Sequence, residues 1–272
     1  VKQQVSKANA IRPFLSLTII QAAAIFTSLY PFLTGQRNFR NTYCPDYPVT
    51  SETAAYADFI RAYAQPPTDY IFSLFKQYDI VVLSERMHPE CTQYDFIAKL
   101  ISDARFVNDI GNIFTECGSV SFQDTLTSYL HTSYLSEDDL DKNTALLQRN
   151  SNAIWPLWSN TNLFNFFKQV NKLNSVLADS AKINWYFTDL PVDWRTMNHE
   201  KQVKAYSNPL RDSIMARHII EVYTNTIAKH TRHKVLVIMN TRHGYGYHEK
   251  LKQYNGTTAF LMRKFPGKVA NV

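Results

Sequence analysis

The sequence predicts an α/β protein: a doubly wound, mostly parallel sheet with helices on both faces. Two observations carry this. Four short apolar runs rich in β-branched and aromatic residues, DIVVLSE (79 to 85), NIFTEC (112 to 117), INWYFTD (183 to 189) and KVLVIMN (234 to 240), stand at wide intervals. The stretches between them have helical periodicity, and continuous apolar strands separated by helices are what a parallel sheet covered on both faces requires. Hydrophobic residues make up 45% of the 272 and charged residues 19%, so the chain has the apolar content to bury a core and is not a disordered one.

Along the chain, Lys2, Lys7 and Arg12 precede an uncharged segment, PFLSLTIIQAAAIFTSLYPFLTGQ (13 to 36). Residues 1–36 therefore read as a signal peptide or membrane anchor, with Ala22-Ala23-Ala24 as a small-residue cleavage site and an amphipathic core helix as the alternative. Either of the first two places the protein outside the cytoplasm, in a periplasmic, extracellular or membrane-anchored setting, with membrane association through the N-terminus. A polar, proline-containing linker (37–50) leads to the main domain (51–272), with Ser51 as the expected N-cap. Helical spacing runs through Phe59, Ile60 and Tyr63 and resumes through Tyr70, Ile71, Leu74 and Phe75. Ser136-Glu137-Asp138-Asp139 opens a helix acid-first and Asn152 to Leu177 carries another, while TAFLMR (258 to 263) is expected to add an edge strand.

The formal charge of +6 is scattered, with no run of Lys and Arg, so a nucleic-acid partner is not expected. Cys44, Cys91 and Cys117 form neither a CxxC pair nor a zinc-type spacing. An exported chain has room for one bridge, for which Cys44 and Cys91 are the first choice because Cys117 ends a run that looks buried. A Gly-x-Ser-x-Gly elbow, a phosphate loop and a His-Glu-x-x-His helix are all missing, which removes the main support for serine hydrolase, P-loop and zincin functions.

Each apolar run ends in polar residues: Glu85 and His88, Glu116, Asp189, and Asn240 followed by His243. In a doubly wound sheet the carboxyl ends of the strands line one crevice, where such folds bind ligands. A single acid after a strand is usually a cap or turn residue; four in register suggest a site.

Two motifs carry a family resemblance over roughly residues 70 to 248. The segment IVVLSERMH, with Glu85-x-x-His88 after a strand, and Arg211-Asp212-Ser213-Ile214-Met215-Ala216, before a strand followed by His243, resemble the erythromycin esterase-like family and its haem-uptake and Tiki-type relatives. The chain departs from the family pattern at Ser84 and at Met87-His88-Pro89, around which members carry glycine, and this changes how closely a substrate can approach the backbone. The resemblance implies hydrolysis of an ester or related bond in a small-molecule substrate by activated water. His88 is then the base, Glu85 or Glu116 its partner, His243 the polarising or proton-donating group, and Asp189 the residue orienting a histidine. Arg211 pairs with a carboxylate or an anionic group. The same donors, His88, Glu116, Asp189 and His243, could instead hold Zn, Mn or Fe, as Tiki-type relatives are thought to do. A non-enzymatic haem- or metal-binding protein on the same fold is the alternative function.

Other features read more plainly. His230-x-x-His233 has metal-like spacing but falls where a helix should end, and His199, His218 and His248 show no evident partners in sequence. Trp155, Trp158, Phe164, Phe166 and Phe167 recur at helical spacing and suit a core, with Trp155 to Trp158 also able to cover the crevice.

Overall fold

The computed structural model describes residues 50–134, 136–152, 161–244 and 256–272. The uncharged segment, the linker up to residue 49, Cys44 with its proposed bridge, Trp155, Trp158 and His248 lie outside the described residues. The chain divides into two compact units, residues 1–64 and 65–272. In the first, helix α1 (Ser51–Tyr63) is capped one residue earlier than expected: Thr50 and Thr53 form a reciprocal capping box, and Thr50 takes the cap because its hydroxyl reaches the Thr53 N–H.

The second unit holds α2 (Pro67–Phe75), β1 (Ile80–Glu85), α3 (Cys91–Ile101), α4 (Ala104–Asp109), β2 (Asn112–Ser119), α5 (Gln123–His131), α6 (Glu137–Ser151) and α7 (Thr161–Val176). It continues with β3 (Asn184–Asp189), α8 (His199–Tyr206), α9 (Arg211–Asn225), β4 (Val235–Asn240), the single turn α10 (Thr241–Gly244), α11 (Thr257–Lys264) and β5 (Val269–Asn271). Five parallel strands lie in the order β3-β2-β4-β1-β5. The fold is therefore the doubly wound α/β sheet expected from the apolar runs.

Alternation along the strands sorts the core into two layers. Val81, Ile113, Trp185, Phe187, Leu236 and Ile238 pack on one face against α2 to α7. On the other face, Ile80, Val82, Phe114, Val235, Val237 and Met239 pack against α9 and α11. Both faces are buried, which is why the strands read as unbroken apolar runs. Acid-first α6 forms as expected, with Ser136 accepting the Asp139 N–H.

The edge strand is a correction. Residues 258–263 form most of α11, and the edge is β5, three residues that pair with Ile80, Val81 and Val82 of β1. Aromatic and β-branched content suggested a strand for TAFLMR, but within the helix Leu261 is buried in the core with Phe260 and Met262 packed beside it, and that burial overrides propensity.

One irregularity positions the site. The β2–β3 register shifts between Thr115 and Ser119, and within it Gly118 has φ of 122°, where an added Cβ would stand 2.0 Å from the Phe187 ring. Such bulges re-aim side chains at strand ends. Here neighbours Glu116 and Cys117, which regular pleating would send to opposite faces, both reach the same histidine. Gly118→Ala should therefore cost about 2 kcal/mol or more, from the positive φ and the ring contact, read as a lower midpoint in urea unfolding.

Candidate functional site

The strand order puts the carboxyl ends of β3, β2, β4 and β1 side by side. Glu85 is the last residue of β1, pairing with Asn240 of β4; Asp189 ends β3; Glu116 lies in the bulge of β2. His88 follows β1 in a turn closed by the Glu90 N–H on the Met87 carbonyl, and Asn162 of α7 donates a hydrogen bond to the His88 carbonyl. His243 sits in α10, directly after β4, and Arg211 opens α9. All six expected residues, Glu85, His88, Glu116, Asp189, Arg211 and His243, are buried and joined in one chain of contacts.

Glu116 is its centre. Oε1 accepts from Arg211 Nη2 at 3.1 Å and lies 3.2 Å from His243 Nε2. Oε2 accepts the Asn240 N–H at 2.9 Å and faces His88 Nε2 at 3.7 Å. Arg211 also grips Asp189 with both ends of its fork, Nε to Oδ1 and Nη2 to Oδ2, each 2.8 Å. His88 Nδ1 lies 2.6 Å from Glu85 Oε2, and Tyr94 donates to Glu85 Oε1 at 2.6 Å. His243 Nδ1 lies 2.8 Å from Asp212 Oδ1, which accepts from the Thr257 N–H at 2.8 Å and the Thr257 hydroxyl at 2.9 Å.

Burial alone would drive protons off both imidazoles, and the carboxylates reverse this. His243 is raised to about 9 by Glu116 and Asp212 against the cost of burial. For His88, burial is opposed by Cys117, Glu85 and Glu116, with the result well above the usual imidazole range. The Cys117 thiol is itself pushed up by burial, so near pH 7 it is neutral and the upward push on His88 comes from Glu85 and Glu116. Burial likewise disfavours the Glu116 carboxylate, yet His243, His88 and Arg211 hold its pKa well below the usual range. Asp189 moves the other way, raised by burial that Arg211 only partly offsets. Protonated on both nitrogens, His243 donates to Asp212 and Glu116, and Glu116 Oε1, which also accepts from Arg211 Nη2, offsets the 3.1 Å approach of His243 Nε2 to Arg211 Nη1. Four carboxyl groups (Glu85, Glu116, Asp189, Asp212) thus face three cations (Arg211, His88, His243).

This arrangement limits what the site can hold. The donors expected for a metal, His88, Glu116, Asp189 and His243, do not fit one as they stand. Arg211 takes both Asp189 oxygens and Glu116 Oε1, Asn240 takes Glu116 Oε2, and Asp212 holds His243 Nδ1. Among the described residues no group of three His, Cys, Asp or Glu is disposed to bind an ion. Haem meets the same obstacle at His243, whose two ring nitrogens lie 3.2 Å from Glu116 and 2.8 Å from Asp212 and so present no axial ligand. A cysteine-nucleophile triad is also disfavoured: Cys117 Sγ lies 3.6 Å from His88 Nδ1, the nitrogen already facing Glu85, so the ring cannot relay between them.

Tyr94, Asp212, Cys117, Asn162 and Thr257 belong to the site but were assigned no role from sequence. Asp212 had a signal, adjacent to Arg211 in the quoted helix motif. Tyr94 had none, being one of 16 tyrosines. His218, without an evident partner in sequence, has one: Nδ1 lies 2.8 Å from the Thr188 carbonyl of β3. His233, of the His230-x-x-His233 pair, lies 3.5 Å from Asp79 at the opposite end of the sheet. Ser84 donates to Asn271 of β5 at 2.9 Å, and its side chain fills the space that a Cβ on Gly244 would need.

Comparison with family models, with curated proteins and with solved structures finds no match.

The shifts fix how stability varies with pH. His243, raised from 6.5, contributes stability that is full below pH 6.5 and lost as pH rises through about 9. Glu116 and Asp212 have lowered values, so their contributions hold above pH 4.5 and are lost as pH falls below it, a limb that Asp189 blunts. The urea midpoint should therefore be highest between about pH 5 and 6.5 and fall towards pH 10. In His243→Gln the alkaline fall should shrink.

Proposed function

We propose that the protein is a hydrolase of an ester or related bond in a small-molecule substrate. The observation that carries this reading is the buried contact chain Glu85–His88–Glu116–Arg211–Asp189 with His243, assembled from four strand ends in the crevice where α/β folds place their chemistry. A purely structural ion network would be a costly way to end four strands, because desolvating charges offsets most of what their pairing returns.

His88 Nε2 is the proton-transfer atom. Nδ1 is anchored by Glu85, itself held by Tyr94, while Nε2 points towards Glu116, which favours the imidazolium formed when water gives up a proton. The attacking oxygen then bonds the acyl carbon, the carbon–oxygen bond of the leaving group breaks, and the proton held on Nε2 passes to the departing oxygen. Atoms balance, and His88 returns to its starting state. Arg211 and the His243 imidazolium supply positive charge for the oxyanion of the tetrahedral intermediate. The resemblance to erythromycin esterase-like proteins supports this assignment of roles, and the uncharged segment 13–36 supports an exported or membrane-tethered setting. No helix among the described residues is long and apolar enough to cross a membrane.

Because the resting ring carries its proton, the active neutral form is scarce at pH 7. On a panel of aryl esters and lactones, kcat/KM should rise by about tenfold per pH unit between pH 6 and 8. His88→Ala should lower it by about 100-fold or more. Equal rates for wild type and His88→Ala over the whole panel would sink the hydrolase reading, and a flat pH profile would move the base elsewhere.

A further inference from the structure

A second feature of the same sheet end lies outside the contact chain. Two residues beyond Ser119 of β2, and three beyond Asp189 of β3, the chain opens an exposed groove of about 610 Å³. That is the size of a small-molecule site, at the strand ends where such sites occur. Its walls are Phe122, Val192 and Trp194, and its rim is Asn150, Asp193 and Arg195.

Trp194 is 38% exposed yet fixed in place: its indole N–H donates to the Asn150 carbonyl at the end of α6 at 2.7 Å. With the N–H so used, the ring can offer the groove only its π surface. The strand-end loops are also pinned to each other, since the Val192 N–H donates to the Ser121 hydroxyl at 3.0 Å and the Ser119 hydroxyl to the Leu190 carbonyl at 2.7 Å. Along the rim, Arg195 bonds Asp193 through Nε and Nη2 at 2.9 and 3.0 Å. The two charges cancel, so the rim offers donors and acceptors without a net field for an ion.

We propose that this groove is a binding site for an uncharged ring ligand, one with an apolar face to lie on Trp194 and a hydrogen-bonding edge to meet Asn150, Asp193 and Arg195. A sugar ring and a polar aromatic ring share that chemistry. A preformed tryptophan platform lowers the ordering cost of capturing either one. The assignment stands apart from the hydrolytic reading, because it concerns binding alone.

The test uses the full chain with maltose and benzamide as probes, followed by saturation-transfer NMR and by the 15N-indole signal of Trp194, identified by its loss in Trp194→Phe. At least one probe should bind saturably in the millimolar range and shift that signal; maltose alone would mark a sugar site, benzamide alone an aromatic one. Trp194→Ala should weaken binding by about tenfold, and Trp194→Phe, which keeps a ring, by less. No saturable binding of either probe, or unchanged binding in Trp194→Ala, would overturn the proposal. Should Trp194→Ala lose its native circular dichroism, the wild-type indole signal decides: no shift at saturating probe overturns it equally. Turnover is not read, so loss of the hydrolase assignment would leave this result standing.

Discussion

Glu116 is 1% exposed and has three cationic side chains around it: Arg211, His243 and His88. A carboxylate so far from water is tolerated only because each oxygen is paired, Oε1 with Arg211 and His243, Oε2 with the Asn240 N–H and, at longer range, His88. Those partners come from α9, α10, the end of β4 and the turn after β1, so this one desolvated charge ties together four segments remote in sequence. The same dependence runs outward. Arg211 is tolerable in the interior because Asp189 takes its other edge, and His243 because Asp212 takes its far nitrogen. Removing any member leaves a buried charge without its counterpart.

The backbone makes this clustering feasible through two local devices. Gly118 allows the bulge that lets consecutive residues of β2 converge on His88, and Gly244 leaves room for Ser84, whose hydroxyl is turned to β5 rather than into the cluster. A serine before the first glutamate is thus accommodated by a glycine on the neighbouring segment. Around this frame the charges set the protonation states. Carboxylates hold both imidazoles protonated, which makes the resting site a store of protons rather than a ready base, and ties the proposed chemistry to alkaline pH.

The sheet and most of its polar ends were legible because a parallel strand buried on both faces must be apolar throughout, so the first charged residue marks where it reaches the crevice. Glu85, Glu116 and Asp189 all announced themselves in this way. The residues that hold them did not. Tyr94 and Thr257 reach the site from the first turns of helices whose position depends on packing, and hydrogen bonding across such distances leaves no periodic trace. The edge strand was misplaced because three residues of β5 carry too little pattern, whereas the β-prone sequence before it is recruited to a helix by the core it covers. Trp194 is a loop residue after β3, and only the structure shows that its indole is anchored and lines a groove.

Buried carboxylates hold both site histidines protonated, and the charge balance of the cluster depends on it. Imidazole NMR with 15N-labelled histidine, titrating His88 and His243 in the intact chain, tests it without any substrate. The predicted result is that His243 titrates near 9 and that His88 stays protonated beyond it, both well above the ordinary 6.5. Titration of either ring at or below 6.5 would contradict the account, because burial would then outweigh the charges around Glu116.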